Sequence, residues 1–201
     1  MHAVVFDIDG TLLQSASVDD ALYQEAVRAV LGGVRFRASL PDDSHVSDSG
    51  ILQQIFADND SAHELARVDA IKAHFVDALR SHISASGPFP EVPGALDMLR
   101  QFRDSSDHAV AYATGGWRAS AMLKLDSAGF GEFGFPLASS DDAHDRAEIM
   151  QIALAGIGRN FDSVTYYGDG PWDREASFRL GWNFVAVGPA LGGLESYKRL
   201  V

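Results

Sequence analysis

In His2-Ala3-Val4-Val5-Phe6-Asp7-Ile8-Asp9-Gly10-Thr11-Leu12 an apolar run stops abruptly at two carboxylates flanking a single isoleucine. A short, β-branched run ended by Asp and Gly reads as a buried strand followed by a tight turn. Side chains two apart share a face of an extended chain, so Asp7 and Asp9 leave the strand end pointing the same way. Two like charges held that close repel, and either a hard divalent cation or a shared proton is needed to offset the repulsion. Gly10 permits a sharp exit that a residue with a Cβ resists.

Four further runs rich in β-formers follow: Ala109 to Ala113, Phe135 to Ala138, Val164 to Tyr167 and Phe184 to Val187. Helical spacing lies between them, in Ala95, Met98, Leu99 and Phe102, then in Ala121, Leu123, Leu125 and Ala128, then in Ile149, Ile152 and Ala153. Alternating strands and helices predict an α/β fold, a Rossmann-like parallel sheet of five strands with helices on both faces. Ligands of such sheets bind beyond the carboxyl ends of the strands, where Asp7, Asp9, Thr114 and Asp169 fall.

The stretch between the first two strands is far longer than one crossover helix requires. It holds three amphipathic segments: Ala21, Leu22, Ala26 and Val30; then Ile51, Leu52, Ile55 and Phe56; then Leu65, Val68, Ile71, Phe75 and Leu79. It has no convincing strand. A small all-α cap over 15–87 is therefore expected, inserted into a core made of 1–14 and 88–201. Gly87-Pro88-Phe89-Pro90 marks its exit, and Pro93-Gly94 opens the next core helix.

Composition narrows the chemistry. The chain has 201 residues, 46% of them hydrophobic, enough for one good core and an accessory unit. A net charge of −12 argues against nucleic acid as partner, and no run of Lys or Arg contradicts it. An anionic ligand would then have to be drawn by local charge, which favours a small, enclosed metabolite. With no cysteine, disulfides, thiolate metal sites and a cysteine nucleophile are excluded. No stretch is long and apolar enough to span a membrane, so a cytoplasmic protein, a monomer or weak dimer, is the expectation.

Two later fragments complete the set: Ala113-Thr114-Gly115-Gly116, and Gly168-Asp169-Gly170-Pro171-Trp172-Asp173, with Arg146 between them. With Asp7-Ile8-Asp9-Gly10-Thr11 they make the chain resemble the haloacid dehalogenase superfamily of hydrolases, in its helical-cap subclass. That superfamily has an Asp-x-Asp-Gly-Thr first motif, a Ser/Thr second motif, a Lys/Arg third motif and an acidic fourth motif. Motif order, strand context and the place of the insertion all agree over nearly the whole chain.

The resemblance implies a Mg²⁺-dependent phosphatase working through an aspartyl-phosphate. Asp7 is the expected nucleophile and Asp9 the general acid and base. Asp7, Asp169 and the backbone carbonyl of Asp9 are the expected metal ligands, an all-oxygen set suited to Mg²⁺. Thr114 and the backbone of Gly115 either bind the phosphate with Gly10 nearby or simply cap the following helix. Arg146 departs from the commoner lysine of the third motif but keeps its charge and suits a phosphate bidentately. Lys124 is the rival cation, placed farther off along its helix. Asp173 either orients Arg146 or a metal-bound water, or caps a helix through Ala176 and Leu180. Asp48 or Ser47 reads as a helix cap, a substrate contact of the cap, or both. His45, His63, His74 and His82 lack metal-ligand spacing, and Asp42, Asp43, Asp141 and Asp142 read as solvated loop acids. The alternatives are a sugar phosphomutase of the same superfamily and a catalytically silent ligand-binding protein. A C–Cl dehalogenase is disfavoured because Asp9 is present, and a phosphonate hydrolase because Lys72 is the only lysine in the cap.

Overall fold

The computed structural model describes residues 1–39, 45–59 and 65–199. The five strands are β1 (His2–Phe6), β2 (His108–Ala113), β3 (Leu137–Ala138), β4 (Ser163–Gly168) and β5 (Asn183–Ala186). They form one parallel sheet in the order β3-β2-β1-β4-β5. The strand that carries the paired aspartates is therefore central, bonded to β2 on one side and β4 on the other. This explains its unbroken hydrophobic character, since both of its faces are covered. The third strand is shorter than the expected Phe135 to Ala138. Pro136 lacks an N–H and only accepts, from the Tyr112 amide at 2.8 Å, so ladder pairing begins at Leu137.

Period-two alternation sorts the sheet's side chains into two apolar layers. Val4, Phe6, Val110 and Tyr112 pack on one side with α4 (Ala95–Asp104) and α5 (Arg118–Ser127). Val5, Ala111, Ala113, Ala138 and Tyr166 pack on the other with α6 (Arg146–Gly156) and α7 (Pro171–Leu180). Phe6 stacks on Tyr167 with ring centroids 4.7 Å apart. Pro171 occupies the first turn of α7, where its missing N–H costs nothing.

Three helices, α1 (Ala16–Leu31), α2 (Asp48–Asp58) and α3 (Leu65–Ser86), fill the connection from β1 to β2, with no strand among its described residues. The helical faces are close to those expected, with shifts. Tyr23, Ala26 and Val27 are the buried residues of α1 in place of Ala21, and Leu65 of α3 is 72% exposed. Tyr23 of α1 and Phe75 of α3 lie 5.3 and 5.9 Å from the Trp117 ring at the start of α5, so insertion and sheet share one continuous core. No helix among the described residues is long and apolar enough to cross a membrane.

Candidate active site

Each strand of the central trio delivers its part of the site at its carboxyl end. Past β1 the chain turns sharply: Leu12 and Leu13 amides donate to the Ile8 carbonyl, and Gly10 donates to Leu13. Gly10 has φ +79°, and a Cβ there would collide with the Asp169 carboxylate, so glycine serves both the turn and the close approach. Asp7 is 4% exposed and accepts from Thr11 Oγ1 at 3.4 Å. Past β2, the Thr114 hydroxyl accepts the Gly116 amide at 3.0 Å. This is a local turn two residues before α5, not the cap of that helix, and it leaves the hydroxyl proton free to donate. Past β4, Asp169 and Asp173 flank Gly170, whose amide donates to Asp173 Oδ2 at 3.1 Å.

Among the described residues, carboxylate oxygens of Asp7, Asp169 and Asp173 lie within 4.8 Å of one another. Arg146, in the first turn of α6, ties the group together. Its Nη1 donates to Asp7 Oδ1 at 3.3 Å, and its Nε stands 3.3 Å from Asp173 Oδ1 without hydrogen-bond alignment. Asp173 thus does both things the sequence left open, capping α7 and facing Arg146. Burial, then Asp173, pushes the Asp7 carboxyl well above the usual carboxylate range, with Arg146 opposing. Burial and Asp173 also raise Asp169, to about 7. Burial raises Asp173 against the pull of Arg146 and the Gly170 amide. Three buried acids facing one cation carry a charge deficit, and their all-oxygen donor set fits a hard divalent ion such as Mg²⁺.

Asp9 stands apart from this cluster. Its carboxylate accepts Ser15 Oγ at 2.5 Å and Lys124 Nζ at 2.6 and 2.7 Å. Lys124 was expected too far along α5 to matter; measured along the axis it is, but Asp9 lies beside that helix and the lysine stem covers the gap. A signal was available. Lys124 is flanked by Ala121 and Leu125 on the apolar face of α5, which predicts burial.

Asp7, Asp9, Thr114, Gly115, Arg146 and Asp169 open onto one cleft of about 200 Å³, partly open to solvent. Its far wall comes from the insertion: Tyr23, Asp48, Ile51 and Ile55, with Arg35, Arg37 and Asp58 beyond. None of these except Asp48 was singled out by sequence as a site residue; Ile51 and Ile55 were read only as part of an apolar helix face. Asp48 does not cap α2; Ser47 does, accepting the Gly50 amide at 3.3 Å. Asp48 Oδ2 instead accepts the Trp117 amide at 2.9 Å, while its own amide donates to Gly115 at 2.7 Å. Asp141 and Asp142 are not idle loop acids: Asp141 accepts the Arg118 amide at 2.7 Å and pairs with Lys72, and Asp142 pairs with Arg118 at 2.6 Å. His45 and His144 pack edge to face near the cleft rim, whereas His63, Asp42 and Asp43 lie outside the described residues.

A parallel sheet with acids past β1 and β4 and a threonine past β2 defines a doubly wound α/β core with one polar site at its carboxyl edge. The sequence matches the family of haloacid dehalogenase-like hydrolases over residues 1–181, and the chain belongs to that family of enzymes. No curated protein matches it. Solved structures share its fold. CbbY from Rhodobacter sphaeroides in complex with phosphate has a TM-score of 0.73 at 17% identity, over 96% of this chain and 87% of that one. β-Phosphoglucomutase from Clostridium difficile has 0.72 at 16%, over 98% and 86%. A hydrolase from Pseudomonas syringae has 0.70 at 19%, over 92% and 84%.

Proposed function

We propose that the protein is a Mg²⁺-dependent phosphatase of a small phosphomonoester. The observation that carries this reading is the buried Asp7, Asp169 and Asp173 cluster with Arg146 set between Asp7 and Asp173 at the head of a cleft. Asp7, Asp169 and the Asp9 carbonyl would hold Mg²⁺, with Asp173 supporting them, and the bound ion would supply positive charge to nucleophile and phosphate alike. Arg146 pulls Asp7 toward its ionised form against burial and Asp173, and adds a second positive charge for the phosphate oxygens. Thr114 Oγ1 and the Gly115 amide orient them.

An oxygen of Asp7 attacks phosphorus, the bond to the leaving oxygen breaks, and Asp9 gives that oxygen a proton. Asp9 then takes a proton from water as the water oxygen attacks phosphorus, and inorganic phosphate leaves with Asp7 restored. The helical insertion over 15–87 acts as the cap, its wall of Tyr23, Asp48 and Ile55 closing the substrate off from water. CbbY bound to phosphate supports phosphate as the group handled by this fold.

Phosphate release should be measured with and without EDTA from sugar phosphates, nucleotides, phosphoglycolate and an aryl phosphate. Release that needs Mg²⁺ and vanishes in Asp7→Asn supports the reading. Phosphoryl transfer between positions of a sugar, without release, would instead assign a mutase.

A further inference from the structure

Lys124 has no exposed side-chain surface, and lysine is almost never buried so fully unless paired. Its partners are unusual in where they come from. Nζ donates to both oxygens of Asp9, at the exit of β1, and to Asp19, in the first turn of α1. One ammonium on α5 therefore joins the acid–base residue of the core to the first helix of the insertion. Burial, then Asp9, holds the Asp19 carboxyl up to about 7, and Asp48 stands close enough to be raised by Asp19 in turn. Without the lysine, Asp9 would face Asp19 and Asp48 with no cation between them. A buried pair of this kind is seldom the most stable solution, since an apolar side chain among Ala121 and Leu125 avoids the desolvation cost.

We propose that Lys124 is a positioning residue: it fixes the rotamer of Asp9 toward the leaving oxygen and links that rotamer to the docking of α1. The inference rests on Asp9 being the proton donor of the reaction above. Ser15 Oγ and Nζ both load Asp9 Oδ1, whereas Oδ2 has only Nζ, so Oδ2 is the oxygen left with capacity to carry the transferred proton. A misplaced donor has a distinctive kinetic consequence. A poor alkoxide leaving group needs the proton, but p-nitrophenolate leaves without it.

The test compares kcat/KM, which reports through the first irreversible step, for an alkyl phosphomonoester and for p-nitrophenyl phosphate. In Lys124→Met the alkyl substrate should lose about 10²-fold or more, the scale of general acid catalysis, while the aryl substrate loses less than about a tenth of that factor. Retained aryl turnover also proves the variant folded. Should Lys124→Met fail to fold, Lys124→Arg and Ser15→Ala decide by the same ratio. A loss equal for both substrates, or no loss, overturns the role of Lys124 and leaves the phosphatase reading standing. A wild-type enzyme inactive on both substrates removes that reading and the inference together.

Discussion

Asp7 is buried, cornered by two other carboxyls and served by one arginine, and each neighbour has a measurable consequence. Asp7→Asn keeps the shape and removes the proposed nucleophile; phosphate release should fall by at least about 10³-fold while the circular dichroism spectrum is unchanged. Arg146→Met should cost about 10²-fold in kcat, as expected for losing one well-placed charge, and Arg146→Lys should recover part of it because the charge stays while the fork is lost. The pH dependence follows from Asp169 and Asp19, both raised by burial to about 7 from 3.8. The folded state holds these protons more tightly, so their contribution is full below about pH 4 and is lost as pH rises through 7. The melting temperature without metal should therefore drop between pH 5 and pH 8. Saturating Mg²⁺ should abolish the Asp169 share and leave the Asp19 share, which a pH series with and without EDTA separates.

The start of α2 is where the insertion grips the core. Ser47 donates to the His144 carbonyl at 2.8 Å, Asp48 exchanges bonds with Trp117 and Gly115, and Ser49 accepts the Trp117 indole N–H at 2.8 Å. Asp48→Ala strands the buried Trp117 amide and should cost about 1–3 kcal/mol in urea denaturation, whereas Asp48→Asn keeps an acceptor and should cost less. Much of this architecture was legible beforehand, and the reasons are specific. The strands announce themselves because β1 and its neighbours are covered on both faces and read as apolar runs; Asp7, Thr114 and Asp169 stand out because each ends such a run. Local periodicity cannot give the partner of a side chain that crosses between elements. Hence the sequence offered Ser47 and Asp48 alike as the cap of α2, where Ser47 caps it and Asp48 serves α5, and Lys124 looked remote when its helix passes beside Asp9. Asp141 and Asp142 misled for the same reason: their partners Lys72 and Arg118 are distant in sequence.

The insertion and one face of the sheet share an apolar cluster, so metal binding at the strand ends should be felt in both. Mg²⁺ at about 100 times its dissociation constant should add about 2.7 kcal/mol, seen as a rise in melting temperature of about 5–10 °C in calorimetry. The unfolding should stay one transition if the core is continuous, whereas two transitions would mean the helices of the insertion melt by themselves. The central place of β1 also governs how the chain finds its fold. His2 pairs with His108 on one side and Ser163 on the other. The strand that ends at Asp7 precedes both partners in the chain and must wait, unpaired and apolar, until the whole insertion has been synthesised, and stays open on one side until β4 follows. Such long-range closure folds slowly and leaves a sticky edge exposed meanwhile, so productive yield in the cell should depend on chaperone supply more than final stability suggests.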